Sequence, residues 1–175
     1  MPRSHSPRVC KPSCSWRVRS PAHPSRTKHF RRACRRVSTA CEAAEKRGDL
    51  AAVNELEAQL WLDGPEQPTG RVRGPLRELF LSMNGVALAS PPAGEAAASA
   101  PAWLRIEQLR LPTLIIWGAL DFEHLDTRMR QLALRIRGAQ SFVMDGVAHL
   151  PGLEQPAPFN TAVGHFVASV PQRGG

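Results

Sequence analysis

Two residues of this 175-residue chain stand where acid–base chemistry is possible. His149 lies in the segment DGVAHLPGLEQP, and Asp121 ends the segment WGALD. A carboxylate that accepts a hydrogen bond from Nδ1 of a histidine fixes the ring's tautomer and stabilises its cation, which makes the ring a general base. Taken singly, an aspartate after a glycine often only caps a turn, and a loop histidine is more often structural. Their common position after two apolar runs makes the pair more informative.

The segments before these residues predict two strands. The run PTLIIWG, residues 112–118, is apolar, contains β-branched residues and is bounded by Pro and Gly, as in a buried parallel strand. The segment AQSFVMDG, residues 139–146, predicts a second strand. Chemistry in parallel sheets lies at the carboxyl ends of the strands. If the two strands are neighbours, Asp121 and His149 follow them at the same edge of the sheet.

Helical patterns alternate with the strands and predict an α/β fold. Residues 126–138 and 155–170 each have apolar residues at helical spacing. The predicted inward faces are Met129, Leu132, Ala133 and Ile136 in the first helix, and Phe159, Ala162, Val163, Phe166, Val167 and Val170 in the second.

Residues 42–101 predict helices followed by a linker. A short helix should end at Gly48, and Asp49 should cap the next one. A turn is predicted at residues 63–68, and a small-residue, Pro-bearing linker at 90–101. The apolar stripes of the two longer helices are Leu50, Val53, Leu56 and Leu60, interrupted by Glu57, and then Val72, Leu76, Leu79, Phe80 and Met83.

Residues 1–41 differ in composition from the rest of the chain. The formal net charge is +8, but this segment holds eleven of the 23 Lys and Arg residues and none of the 15 Asp and Glu residues. All four cysteines lie there too. The body without cysteine fits a cytoplasmic protein. No apolar run reaches the roughly 18 residues of a transmembrane helix, and no apolar region of a secretory signal follows the basic start.

We expect residues 1–41 to form a disordered basic tail, and four interpretations of it remain open. Its arginines could bind nucleic acid, but only Trp16 and Phe30 could stack on bases. Its Cys and His residues could bind zinc, although Cys10 and Cys14 have a C-x3-C spacing and no second ligand pair follows. A transit peptide would have fewer prolines. The favoured hypothesis is out-of-frame sequence from a GC-rich gene.

The body resembles the C-terminal half of the α/β-hydrolase fold. LPTLIIWGALD, residues 111–121, is similar to the family's strand that carries the triad acid. GVAHLPGLEQPAPFNTAVGHFV, residues 146–167, is similar to its histidine loop and last helix, including the pattern His-x-x-x-x-Glu-x-Pro. The resemblance covers residues 103–170 well. It covers residues 42–89 more weakly, as a lid- or cap-like helical segment.

The resemblance implies that Asp121 is the triad acid and His149 the general base. Glu123 and Asp126 are nearby carboxylates that fit the motif position less well. His124 either lines a pocket or is an exposed loop histidine, and the second alternative is favoured. His165, in the last helix, receives no role. The resulting division is a tail at 1–41, a lid-like segment and linker at 42–101, and a C-terminal core segment of the hydrolase fold at 102–175.

The sequence departs from the family at the nucleophile. No G-x-S-x-G elbow is present, and neither Asp nor Cys stands in an equivalent pattern. The resemblance therefore predicts a partial α/β-hydrolase fold that hydrolyses a small ester, amide or related bond only if a missing half, encoded upstream or supplied by a complementing chain, completes the site. As an isolated chain we expect it to be inactive. A non-catalytic remnant or interaction module with a basic tail is the alternative. The body implies no metal or organic cofactor, no membrane association and no nucleic acid.

Overall fold

The computed structural model describes residues 36–91 and 102–171. The chain divides into two compact units, Met1–Glu95 and Ala96–Gly175. This division lies within residues 92–101, outside the described residues, as does the predicted boundary after residue 101. The candidate zinc ligands Cys10 and Cys14 also lie outside them.

The first unit is helical among its described residues. Helix α1 covers residues 36–46, α2 covers Leu50–Ala58 and continues as a π-helical turn at Gln59–Asp63, and α3 covers Pro75–Ala89. Gly48 has φ 69°, a left-handed conformation that favours glycine and ends α1. The side chain of Asp49 accepts a hydrogen bond of 3.0 Å from the N–H of Ala52. The predicted end at Gly48 and cap at Asp49 are thus confirmed.

Helix α1 corrects the predicted disordered tail at its C-terminal end. Residues 36–41 are helical, and Val37 and Cys41 are 7% and 1% exposed. Cys41 and Ala44 form a core cluster with Val53 of α2. Val37, Cys41 and Ala44 have the spacing i, i+4, i+7 and therefore share one helical face. Residues 1–35, the rest of the predicted tail, lie outside the described residues.

Helix α2 packs against α3 partly through polar side chains. Asn54 donates to the carbonyl of Leu81 at 2.8 Å, and Asn84 donates to Asn54 and Glu57 at 3.0 and 2.6 Å. The predicted apolar face of α3 is less buried than expected. Phe80 is 8% exposed, whereas other members of the stripe are not buried: Val72, Leu76, Leu79 and Met83. Hydrogen bonds between the helices replace part of the expected apolar contact.

A buried carboxylate, Asp63, fixes the loop between α2 and α3. It accepts hydrogen bonds from the N–H groups of Gly70 and Val72 at 2.7 and 2.9 Å, and from Arg77 Nη1 at 3.0 Å. Arg77 also contacts Glu55 at 2.6 Å. Burial acts to lower the pKa of Arg77, but the hydrogen bonds to Glu55 and Asp63 outweigh it and leave that pKa raised. Asp63 thus has charged and backbone partners that offset its burial.

The second unit contains the predicted β-α-β-α order. A 3-10 helical segment, Ala102–Gln108, precedes β1 (Leu114–Gly118), α4 (Glu123–Arg135) and β2 (Gln140–Met144). The strands pair in parallel, with Leu114 opposite Gln140 and Gly118 opposite Met144. A short helix, α5 (Pro151–Glu154), and a longer one, α6 (Pro156–Ser169), follow. The described residues therefore form an α/β arrangement with a two-stranded parallel sheet.

The core of this unit lies between β1 and α4. Ile115 and Trp117, two residues apart on one face of β1, are buried with Ile136. The predicted inward residues of α4 pack against this cluster: Met129, Leu132 and Ala133. The indole N–H of Trp117 donates to Asp126 Oδ1 at 2.8 Å, which anchors the helix to the strand.

The predicted apolar face of α6 is not buried. None of the residues of α6 is buried, and Val167 is 56% exposed. Residues Gln140, Ser141 and Phe142 of β2 are exposed as well. A sheet of two strands offers too little apolar surface to bury the helices that flank it. Within residues 36–91 and 102–171, no helix is both long and apolar enough to cross a membrane.

Candidate active site

The parallel pairing brings the ends of β1 and β2 together. Ala119 donates its N–H to Met144 O at 2.9 Å, and Leu120 donates to Val147 O at 2.8 Å. The loop after β1 is thereby attached to the loop after β2. Asp121 follows in the first loop, and His149 follows in the second. The predicted proximity of these two residues is present in the structure.

Asp121 and His149 form a direct hydrogen-bonded contact. The distance from Asp121 Oδ2 to His149 Nδ1 is 2.8 Å. The other carboxylate oxygen, Oδ1, accepts the N–H of Phe122 at 2.7 Å. The side chain of Asp121 is 6% exposed and that of His149 is 38% exposed. The carboxylate is therefore held at both oxygens and sheltered, while the imidazole remains accessible to water.

Gly118 allows the two loops to approach this closely. It is the last residue of β1, and a Cβ at this position would overlap the carbonyl oxygens of Val147 and Ala148. Val147 and Ala148 are fully buried. Any larger residue at position 118 would push the histidine loop away from the strand, so the glycine is a steric requirement of the site.

The histidine loop is also attached to the helix that follows it. Ala148 donates its N–H to Glu154 Oε1 at 2.8 Å, and Gln155 Nε2 donates to Asp145 O at 3.3 Å. The sequence pattern included Glu154, but it predicted no role for this residue. A side chain that accepts a backbone N–H leaves no signal in residue types, because every residue except proline has such a donor.

His124 lies closer to the pair than expected. It belongs to the first turn of α4 and is partly buried, which corrects the favoured interpretation of an exposed loop histidine. Burial lowers the pKa of His124, the charge of Asp121 opposes that change, and Arg128 and His149 add to it. Its ring centroid lies 5.4 Å from that of Phe122. His124 therefore shares the electrostatic environment of Asp121 and His149.

The other sequence candidates are placed differently. Asp126 accepts hydrogen bonds from Trp117 and from Arg130, the latter at 2.9 Å, so this carboxylate connects β1 and α4. Glu123 lies in the first turn of α4, and His165 is exposed on α6. Asp121 contacts His149 directly, at 2.8 Å.

The described part of the chain contains no cluster of three or more His, Cys, Asp or Glu side chains that could hold a metal ion. What the described residues offer is acid–base chemistry. If Nδ1 of His149 carries the proton that is shared with Asp121, the basic lone pair of the ring lies on Nε2. An imidazole in that state can accept a proton from a hydroxyl group or from water.

Comparison with known proteins gives one distant structural likeness. No protein-family model matches the sequence, and no curated protein matches it. The structure is similar to the crystal structure of the carboxylesterase CesB (YbfK) from Bacillus subtilis, with a TM-score of 0.49 and 18% sequence identity. The match covers 85% of this chain and 47% of that one, so the chain spans about half the length of the carboxylesterase. A likeness at this level gives no residue of this chain a role.

Proposed function

We propose that Asp121 and His149 are the acid and the general base of a hydrolytic site of the α/β-hydrolase type, acting on a small ester, amide or related bond. The observation that carries the proposal is the 2.8 Å contact between Asp121 Oδ2 and His149 Nδ1. Its position at the carboxyl ends of two adjoining parallel strands, where such sheets place their chemistry, supports it.

The difference in burial between the two residues fits their proposed roles. The acid, 6% exposed, is held in one orientation by Phe122 and never needs to meet a substrate. The base, 38% exposed, must reach one. The hydrogen bond to Asp121 would keep the imidazole in one orientation and one tautomer while a proton is transferred to the ring.

The nucleophile is the part that this sequence does not provide in a family pattern. Without a G-x-S-x-G elbow, His149 would act on water or on a hydroxyl group from a complementing chain. General-base catalysis alone contributes about 10²–10⁴-fold. We therefore propose slow hydrolysis by the chain alone, and full activity only with a partner that supplies a nucleophile and oxyanion-stabilising N–H groups.

Hydrolysis of p-nitrophenyl acetate, a short-chain aryl ester, tests the proposal. We expect His149→Ala and Asp121→Asn each to lower the protein-dependent rate by about 10²-fold, the low end of general-base catalysis. Exposed histidines can attack activated esters by themselves. His165→Ala, which removes an exposed histidine on α6, is the matched control and should retain the rate.

A rate that is the same in all four proteins, or no rate above that of buffer, would count against an enzyme. The alternative is then an interaction module. The observation that favours it is the exposure of large apolar residues, with Leu104 at 73%, Val86 at 68% and Met83 at 63%. A module of this kind would bind a partner equally well with and without His149, which separates the two functions.

A further inference from the structure

We propose that Glu154 is a positioning residue for His149: its carboxylate closes the turn that carries the histidine and keeps the imidazole on Asp121. The inference deepens the proposed function and rests on it, because an oriented ring matters chemically only if His149 acts as the base. The Ala148–Glu154 hydrogen bond, at 2.8 Å, is the contact from which it starts.

One peptide group links the site to Glu154. The C=O of Val147 accepts the N–H of Leu120, and the N–H of Ala148 donates to Glu154 Oε1, both at 2.8 Å. These two polar groups belong to the same peptide unit, the one between Val147 and Ala148, and Ala148 directly precedes His149. Its plane is therefore fixed at both ends. Leu120 directly precedes Asp121, so the acid and the base are attached to the same peptide.

Burial makes this arrangement restrictive. Val147 and Ala148 are both 0% exposed, and a buried N–H that loses its acceptor is costly. A carboxylate acceptor forms a stronger bond than a neutral one. If Glu154 is removed, the peptide can recover a partner only by rotating or by moving toward water. Rotation breaks the hydrogen bond from Leu120 to Val147 O, which attaches the histidine loop to the residue before Asp121, and movement toward water displaces the residue before His149.

The backbone explains why Glu154 reaches Ala148. Helix α5 begins at Pro151, and the N–H groups of Leu153 and Glu154 both donate to Leu150 O at 2.9 Å. Pro156 then disfavours helical geometry at the residue before it, and Gln155 has φ −136° and ψ 72°. The single helical turn thus ends at Glu154 and returns its side chain to the start of the turn.

Three substitutions of Glu154 test the length of its side chain and its charge separately. Glu154→Ala removes the acceptor. Glu154→Asp keeps the charge but is one methylene shorter, and Glu154→Gln keeps the length and an acceptor oxygen without the charge. Glu78→Ala, which removes an exposed carboxylate from α3 in the other unit, is the control.

The first readout is the proton on His149 Nδ1, followed by NMR of histidine labelled with ¹⁵N. In the wild type and in Glu154→Gln we expect a downfield Nδ1–H resonance that is protected from exchange with water. In Glu154→Ala and Glu154→Asp we expect its loss. Amide exchange at Ala148 should be faster by about tenfold in those two variants. Should Glu154→Ala not fold, the comparison of Asp with Gln is sufficient.

An unchanged Nδ1–H resonance in Glu154→Asp, or equal loss in Glu154→Gln and Glu154→Asp, overturns the proposal. The ester assay is kept separate. If His149→Ala leaves hydrolysis unchanged while Glu154→Asp still releases the Nδ1 proton, the positioning contact stands and the proposed hydrolase fails. If hydrolysis depends on His149 but the Nδ1–H resonance is the same in all Glu154 variants, the proposed hydrolase is supported and the positioning role is contradicted.

Discussion

The side chain of Asp121 is sheltered from water, whereas that of His149 is accessible to it. Asp121 uses both carboxylate oxygens, one on a backbone N–H and one on the ring, and is almost enclosed. His149 retains more than a third of its side-chain exposure. Because both oxygens of the Asp121 carboxylate are already held, the proposed acid would need no reorganisation when the ring takes up a proton. This preorganisation is what the pair would contribute to catalysis.

His124 gives a pH prediction at the same scale. Burial, with Arg128 and His149, outweighs Asp121 and holds the pKa of His124 below its ordinary value of about 6.5. The unfolded chain therefore binds this proton more readily than the folded one. The free energy of unfolding is therefore not reduced by His124 above pH 6.5. It decreases as the pH falls from 6.5 toward the lower pKa of the folded state, because the unfolded chain takes up this proton first.

The measurement is urea unfolding at pH 7.5 and pH 5.5. We expect His124→Asn to lose less free energy of unfolding than the wild type between these two pH values. His165→Asn, in the exposed position on α6, is the control and should behave as the wild type does. Equal pH dependence in His124→Asn and the wild type would show that His124 does not carry the effect.

The sequence could predict the contact between Asp121 and His149 because both residues follow parallel strands, and strand ends meet. It could not predict Glu154 as a partner of Ala148, since the donor is a backbone N–H. Gly118 was visible only as a strand terminator. Its steric role depends on how closely the second loop approaches, and that distance is set by the tertiary structure.

At the scale of elements, the helical start of α1 was not predicted, because the amino-acid composition of residues 1–41 favours disorder. The segment 1–41 as a whole is basic and poor in large apolar residues, which favours disorder. Its last six residues are nevertheless helical, and the apolar stripe of this helix continues beyond the compositional boundary, through Val37, Cys41 and Ala44. By contrast, β1 was predictable because a short apolar run with β-branched residues, bounded by Pro and Gly, is typical of a buried strand.

Val37→Ala tests whether α1 belongs to the folded unit. Val37 is 7% exposed, so losing two methyl groups should lower the free energy of unfolding by about 1–2 kcal/mol. Val86→Ala is the same substitution on α3 at 68% exposure and should be nearly neutral. Chemical denaturation of the two variants measures the difference. Equal, small effects of the two substitutions would show that Val37 does not belong to the folded unit.

At the scale of the whole molecule, several large apolar side chains of the described residues are exposed. Helices α4, α5 and α6 contain no fully buried residue, and the sheet among the described residues has two strands. Leu134 and Leu104 are 86% and 73% exposed. Exposed apolar surface and unpaired strand edges favour association with a partner or with other copies.

We therefore expect the chain alone to be poorly stable. Scanning calorimetry, with the oligomeric state measured by light scattering, should show a broad transition below about 45 °C, the lower end for mesophilic domains, or self-association. A sharp, cooperative transition of a monomer above that temperature would contradict this expectation and would mean that the exposed apolar faces are covered in solution.

The most direct test of the central claim is a double-mutant cycle on ester hydrolysis with Asp121→Asn, His149→Ala and the double variant. An acid and a base that act as one unit are non-additive, because the acid contributes only through the base. We predict that the double variant loses no more activity than His149→Ala alone. Losses that multiply would show that the two residues act independently, and the acid–base pair would be contradicted.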